Sequence, residues 1–130
     1  MPLVRIDLRL GKSAAYRQAL CDGIYRAMRE TFNVPDEDRF MVVNEHDGGD
    51  LNFSRKFLGI ERGDDFVMIQ LTVSNTRSRD QKKALFARIV ALLEGDPGVR
   101  PQDVMINLVE VQTEDWSFGN GIAQYVADQS

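Results

Sequence analysis

The chain repeats itself. Displaced by 65 residues it aligns with itself without a gap. Val4, Ile6 and Leu8 fall on Ile69, Leu71 and Val73, and Ser13 falls on Ser78. Leu20 and Ile24 fall on Leu85 and Ile89, Val34 on Val99, and Asp38 on Asp103. The agreement lies in pattern and punctuation more than in identity. It confines the fold to two copies of one supersecondary unit, stacked so that each helps bury the other's apolar face.

Each copy reads strand–helix–strand. Residues Leu3–Leu8 alternate apolar and polar, the period of a half-buried strand. Residues 66–73 are more continuously apolar, as a more deeply buried strand would be. Ser13 and Ser78 stand where helix caps belong, and Ser78-Arg79-Asp80-Gln81 fits a capping box. Tyr16, Leu20, Ile24, Ala27 and Met28 form one helical stripe, and Leu85, Ile89, Leu92 and Leu93 a second. Asn33 and the Gly95–Gly98 segment end the helices. Phe40–Val43 and Val104–Val111 supply the second strands. A right-handed crossover makes the strands of a unit parallel. The prediction is an α+β fold: a tandem β-α-β repeat forming a four-stranded mixed sheet with two helices on one face. The pseudo-repeats are 2–45 and 66–111, with a linker 46–65 and a C-terminal segment 112–130, all in a single domain 1–130. The linker is expected to turn at Gly48-Gly49-Asp50 and to carry a short strand around Leu51–Phe53. The uncovered sheet face predicts oligomerisation.

Composition narrows the function. Apolar residues are 43% and charged residues 28% of the 130, which suits one soluble globular domain. The formal charge is −4 with no basic stripe, which argues against a nucleic-acid partner. The longest apolar run, Ile89–Leu93, is far shorter than the roughly 20 residues that span a bilayer. The opening residues lack the apolar core of a secretory signal. One Cys and one His argue against a disulfide framework and a Cys/His zinc site. These readings point to the cytoplasm. Cys21 reads as an inert packed thiol and His46 as structural or surface. The Gly48-Gly49 and Gly119-Asn120-Gly121 segments are turn signals, since no phosphate-loop pattern follows a strand.

Pro2 is the residue with most chemistry in it. Aminopeptidases remove Met1 before a small residue, which exposes a secondary amine. A Met-Pro start is a weak signal alone, but here a core strand begins at once and fixes the amine in the fold. Burial and a nearby cation lower an amine's pKa and make it a base at neutral pH; left high, it is a cationic acid. If the units pack antiparallel, Arg77 follows the strand end that lies beside Pro2, and its guanidinium suits a carboxylate. Arg79 stands two residues on. Asp38 opens a strand, and reads either as a carboxylate acting near Pro2 or as a turn residue like its repeat mate Asp103. Trp116 and Phe118 occupy a glycine-flanked loop and suit either a small apolar pocket or core plugging.

These residues together resemble the tautomerase superfamily, and within it the malonate semialdehyde decarboxylase group. The resemblance rests on the Met-Pro-Leu start, Val34-Pro35 followed by Asp38-Arg39-Phe40, His46, Leu58-Gly59 with Arg62, Gln81-Lys82, and Asp115-Trp116-Ser117-Phe118-Gly119. It implies a homotrimer of tautomerase-like fold and a cofactor-free, metal-free enzyme acting on a small oxo acid. Pro2 matches the amino-terminal proline of that family, Asp38 its active-site aspartate, and Arg77 an arginine that binds the substrate carboxylate. Trp116 and Phe118 match aromatic pocket residues. Where some decarboxylases carry an Arg-x-Arg pair, this chain has Asn75 and Arg77; sliding the segment by two pairs Arg77 with Arg79 instead. The reaction implied is decarboxylation of a malonate semialdehyde-like substrate or keto–enol tautomerisation. The alternative is a non-catalytic trimeric binding or scaffold protein on the same fold.

Overall fold

A computed structural model describes residues 2–126. The elements run β1 (Pro2–Arg9), α1 (Ala14–Phe32), β2 (Phe40–His46), β3 (Val67–Ser74), α2 (Arg79–Gly95) and β4 (Val104–Val111). Single 3₁₀ turns occupy Phe57–Gly59, Pro101–Asp103 and Thr113–Asp115. The sheet order is β2-β1-β3-β4. β1 pairs β2, and β3 pairs β4, in parallel; β1 pairs β3 antiparallel. The mixed sheet, the two helices and the antiparallel packing of the units are as the repeat predicts.

Local chemistry explains the elements. The Ser13 hydroxyl accepts the Tyr16 N–H at 3.1 Å. At Ser78 the capping box is complete: its hydroxyl accepts the Gln81 N–H at 3.1 Å, and Gln81 accepts the Ser78 N–H at 3.0 Å. Each cap satisfies an N–H that the first helical turn leaves without a partner. Asn33 ends α1 at φ 53°, a left-handed conformation that asparagine tolerates better than most residues. β2 runs three residues past the apolar stretch Phe40–Val43. Polar partners carry it there: His46 Nε2 lies 2.7 Å from Asp7 Oδ1, and Glu45 pairs with Arg17 at 3.5 Å.

The strand expected at Leu51–Phe53 is absent. The segment follows an Asp47–Asp50 turn and is held by its ring instead, since Phe53 stacks on Phe66 with centroids 4.2 Å apart and planes 15° apart. An aromatic anchor replaces a ladder there.

The core lies between the helices and one sheet face. Val4, Ile6, Ile69 and Leu71 from the central strands meet Leu20, Ile24, Leu85 and Ile89 from the helices, all fully buried. Burying each such side chain contributes about 1.5–3 kcal/mol. The opposite face presents Leu3, Phe40, Val42, Met105 and Val109 together with Arg5, Gln70 and Asn107, and no helix covers it. The helices meet closely at Gly23, where a Cβ would stand 2.8 Å from Leu93 Cδ2.

Propensity and packing therefore oppose each other at Gly23. Gly→Ala in a helix gains up to about 1 kcal/mol, while overpacking a core costs about 1–3 kcal/mol. Gly23→Ala is expected to lose about 1 kcal/mol in urea unfolding. Combined with Leu93→Ala, the pair should cost less than the sum of its singles. Additive costs would mean that the helices do not meet there.

Candidate active site

The antiparallel ladder puts Pro2 opposite Val73, one residue before the end of β3. The parallel ladder puts Leu3 beside Phe40, so Asp38 stands just before the start of β2. Thr113–Asp115 turns the chain after β4 and delivers Trp116 and Phe118 to the same end of the sheet. Pro2, Leu3, Phe40, Trp116, Ser117 and Phe118 line a cavity of about 260 Å³. The rings form a rail. Trp116 stacks on Phe118 at 5.7 Å, and Phe40 lies 6.2 Å from Phe118. Trp116 Nε1 donates to the buried Ser74 hydroxyl at 3.0 Å, which locks the indole to the end of β3.

A second, more polar cavity of about 280 Å³ opens beyond Ser74, lined by Ser74, Thr76, Arg77, Thr113 and Tyr125. Ser74 thus sits between the two. Arg77 is half-buried and held from one side. Its Nη2 donates to the Phe32 carbonyl at 2.9 Å, its Nη1 to Thr76 Oγ1 at 3.2 Å, and its Cζ lies 4.9 Å over the Phe32 ring. The carbonyls at the end of α1 are the negative pole of that helix and favour a cation. Burial pulls the guanidinium below its usual range, against the opposing fields of Asp38 and Tyr125, but it remains a cation at any ordinary pH.

Asp38 is partly buried, and its Oδ1 has no hydrogen-bond partner among the described residues. Burial pushes its carboxyl up, while the Arg77 guanidinium pulls it down. A buried carboxylate oxygen without a donor is costly, of the order of 1–3 kcal/mol or more. Its repeat mate is the opposite case. Asp103 Oδ1 accepts the Gly63 N–H at 2.7 Å, and Arg100 grips both its oxygens at 3.1 and 3.2 Å. Both aspartates close a turn with their backbone, Asp38 N–H to the Pro35 carbonyl at 3.3 Å and Asp103 N–H to the Arg100 carbonyl at 2.9 Å, but of the two carboxylates only that of Asp103 is bonded to its own turn.

The structure does not bring Arg79 to either cavity; it is exposed at the first position of α2. His46 is on the far end of β2, paired with Asp7. Burial pushes the Cys21 thiol up, away from the reactive thiolate. Among the described residues no three His, Cys, Asp or Glu side chains converge to hold a metal ion. Sequence patterning passed over Phe32, Ser74 and Tyr125. Tyr125 packs edge-on against Phe118 at 5.0 Å and lines the polar cavity.

Comparison with known proteins agrees with this geometry. The profile of the tautomerase enzyme family matches residues 38–119, and a second profile of the same description matches residues 2–53. The probable tautomerase YusQ of Bacillus subtilis (strain 168) is 40% identical over 97% of this chain and 99% of its own length. The probable tautomerase YrdN of the same organism is 32% identical over 97% of both chains. A crystal structure of malonate semialdehyde decarboxylase superposes with a TM-score of 0.89 at 35% identity, covering 95% of each chain. A fused 4-OT, described as a symmetric trimer, shares the fold at a TM-score of 0.78 and 17% identity, over 97% of this chain and 99% of its own. With one profile spanning more than half of its length and a 40% identical relative covering nearly all of it, the chain belongs to the tautomerase family of enzymes.

Proposed function

We propose that this chain is a cofactor-independent enzyme whose working group is the amine of Pro2, acting on a small oxo acid. The observation that carries the reading is the convergence at one sheet end. Pro2 opens a core strand against an aromatic cavity, with the unpartnered oxygen of Asp38 and the guanidinium of Arg77 in electrostatic reach of one another. Removal of Met1 is required to free the amine, and Met1 and residues 127–130 lie outside the described residues.

In the tautomerase reaction, neutral Pro2 takes a proton from the enol oxygen or the carbon and returns it to the other site. Arg77 holds the carboxylate. The aromatic rail excludes water, which lowers the amine's pKa by desolvation. The family assignment and the probable tautomerases of B. subtilis support this reaction. A second reading, decarboxylation, is favoured by the 35–36% identity to two malonate semialdehyde decarboxylases. There the cationic amine polarises the carbonyl while the C–C bond to the carboxylate breaks. The electron pair moves to the enol, carbon dioxide leaves, and the proton then passes to carbon. Asp38 serves both versions: its negative charge steadies the protonated amine, and its free oxygen accepts a proton or orients water. The amine's pKa separates the two.

We also place the chain in a homotrimer. Leu3, Phe40, Val42, Met105 and Val109 make an open apolar sheet face, the kind that associates.

Four outcomes are expected. The active protein should have an intact mass lacking Met1. Pro2→Ala should lower kcat/KM by about 10²–10⁴-fold with an unchanged circular dichroism spectrum, and full activity in that variant would end the proposal. Asp38→Asn should lose activity yet gain stability. The folded-state pKa of Asp38 is raised, so above the ordinary carboxylate range near 4 the native protein pays to ionise this group. The variant should therefore unfold about 1 kcal/mol later in urea at pH 7, with the gap closing below pH 4 or so, where Asp38 is protonated in both states. Equal stability at both pH values would show that the oxygen is solvated. Light scattering should give three times the 14.7 kDa of one chain, and Val42→Lys should shift the mass toward the monomer.

A further inference from the structure

Resting on that reading of Arg77 as the carboxylate holder, we propose that the Tyr125 hydroxyl is a second donor to the substrate carboxylate and sets the enzyme's preference for acids over neutral analogues. Arg77 does not have all of its donors free. A guanidinium has five N–H donors; here two of its nitrogens already bond to Phe32 O and Thr76 Oγ1, and its face lies on the Phe32 ring. A carboxylate offers about four acceptor sites. The arginine, clamped from the α1 side, cannot fill them alone. The rest of the cavity wall is hydroxylic: Ser74, Thr76, Thr113 and Tyr125. Of these, Ser74 accepts from Trp116 and Thr76 from Arg77, which leaves each hydroxyl its own proton, but Tyr125 is the one whose ring also packs on Phe118 of the Pro2 cavity.

Tyr125 is fixed in place by two independent devices. Its ring meets Phe118 edge-on, with centroids 5.0 Å apart at 71°, so it ends the aromatic rail that begins beside Pro2. The preceding residue pins the loop, since Gln124 accepts the Phe118 N–H and donates to the Gly119 carbonyl, both at 2.9 Å. The phenol therefore joins the apolar wall of the Pro2 cavity to the polar wall of the Arg77 cavity. Burial, with Asp38 nearby, pushes its hydroxyl above the usual phenol range, and Arg77 only partly offsets this. At neutral pH the group keeps its proton, so it donates and does not compete with the substrate as an anion.

The test is calorimetric binding of 3-phenylpropanoate and of its primary amide to the processed wild type, Tyr125→Phe and Arg77→Ala. The phenylalanine variant keeps the ring contact and deletes only the hydroxyl. Carboxylate binding should weaken about tenfold in Tyr125→Phe, while amide binding changes less than twofold. An unchanged carboxylate affinity, an equal loss for both ligands, or a wild type that does not prefer the acid would each overturn the inference. Arg77→Ala should abolish the preference, and if it does not, Arg77 is not the carboxylate holder. Binding is read here without turnover, so a failure of the proline mechanism registers in activity and not in this measurement.

Discussion

The antiparallel ladder between β1 and β3 sets Pro2 opposite Val73, and the rest of the site hangs from that register. Because the ladder is antiparallel, the first residue of one copy lies beside the last residues of the other copy's first strand. The chain then needs only Asn75, Thr76 and Arg77 before the Ser78 cap turns it into α2. The guanidinium is thus delivered by two fixed points, a strand end and a helix start. The parallel ladder with β2 brings Phe40 and Asp38 to the same end. A slip of one residue would turn each side chain of β1 to the other face. The fully buried Val4 and Ile6 prevent it, since the slip would put them on the open face and bring Arg5 and Asp7 into the core. Core packing far from the cavity therefore sets the geometry of the amine.

Much of this was legible in the residues because it is periodic. Alternation in Leu3–Leu8, stripes through Leu20 and Ile24, and the two serine caps each have a local cause, and the duplication states each one twice. What was not legible lacks a period. Phe32 reads as one more core residue of α1, although its carbonyl and ring hold a guanidinium from 45 positions away in the chain. Ser74 reads as the last residue of a strand, yet it orients an indole 42 positions on. Tyr125 follows a stretch without regular structure, and the ring of Phe118 and the hydrogen bonds of Gln124 give it a place. Leu51–Phe53 misleads in the other direction. Its apolar–polar–apolar alternation mimics a strand, but stacking on Phe66 satisfies Phe53 without a ladder. Asn44–His46 look unlike a strand and form one, because Asp7 and Arg17 supply polar partners.

The duplication creates two ends, and they are finished differently. At the other end Val67 stands where Pro2 does, Asp103 where Asp38 does, and Lys12 where Arg77 does. The frame is the same; the terminations differ. Val67 is inside the chain, so its nitrogen is an amide with no basicity to offer, whereas the nitrogen of Pro2 becomes an amine under the proposed removal of Met1. Asp103 is buried, which alone would raise its pKa, but the Arg100 grip and the Gly63 N–H hold it below the usual carboxylate range. Lys12 is tied to Asp65 at 2.7 Å. Two of these partners, Gly63 and Asp65, come from the linker, and Arg100 also reaches the Glu61 carbonyl at 3.2 Å. The linker thus closes the second end by satisfying each of its charges from within the chain. A charge that is fully bonded has little left to give a ligand, and its energy appears as stability. The first end has no such linker above it. Asp38 keeps an oxygen without a partner among the described residues, and that unsatisfied acceptor is a standing cost that a bound substrate or a protonated amine would remove. The contrast between the two aspartates is therefore an argument about function made inside one molecule. With fold and position held equal, the acid whose oxygen is left without a donor among the described residues is the one at the Pro2 end of the sheet.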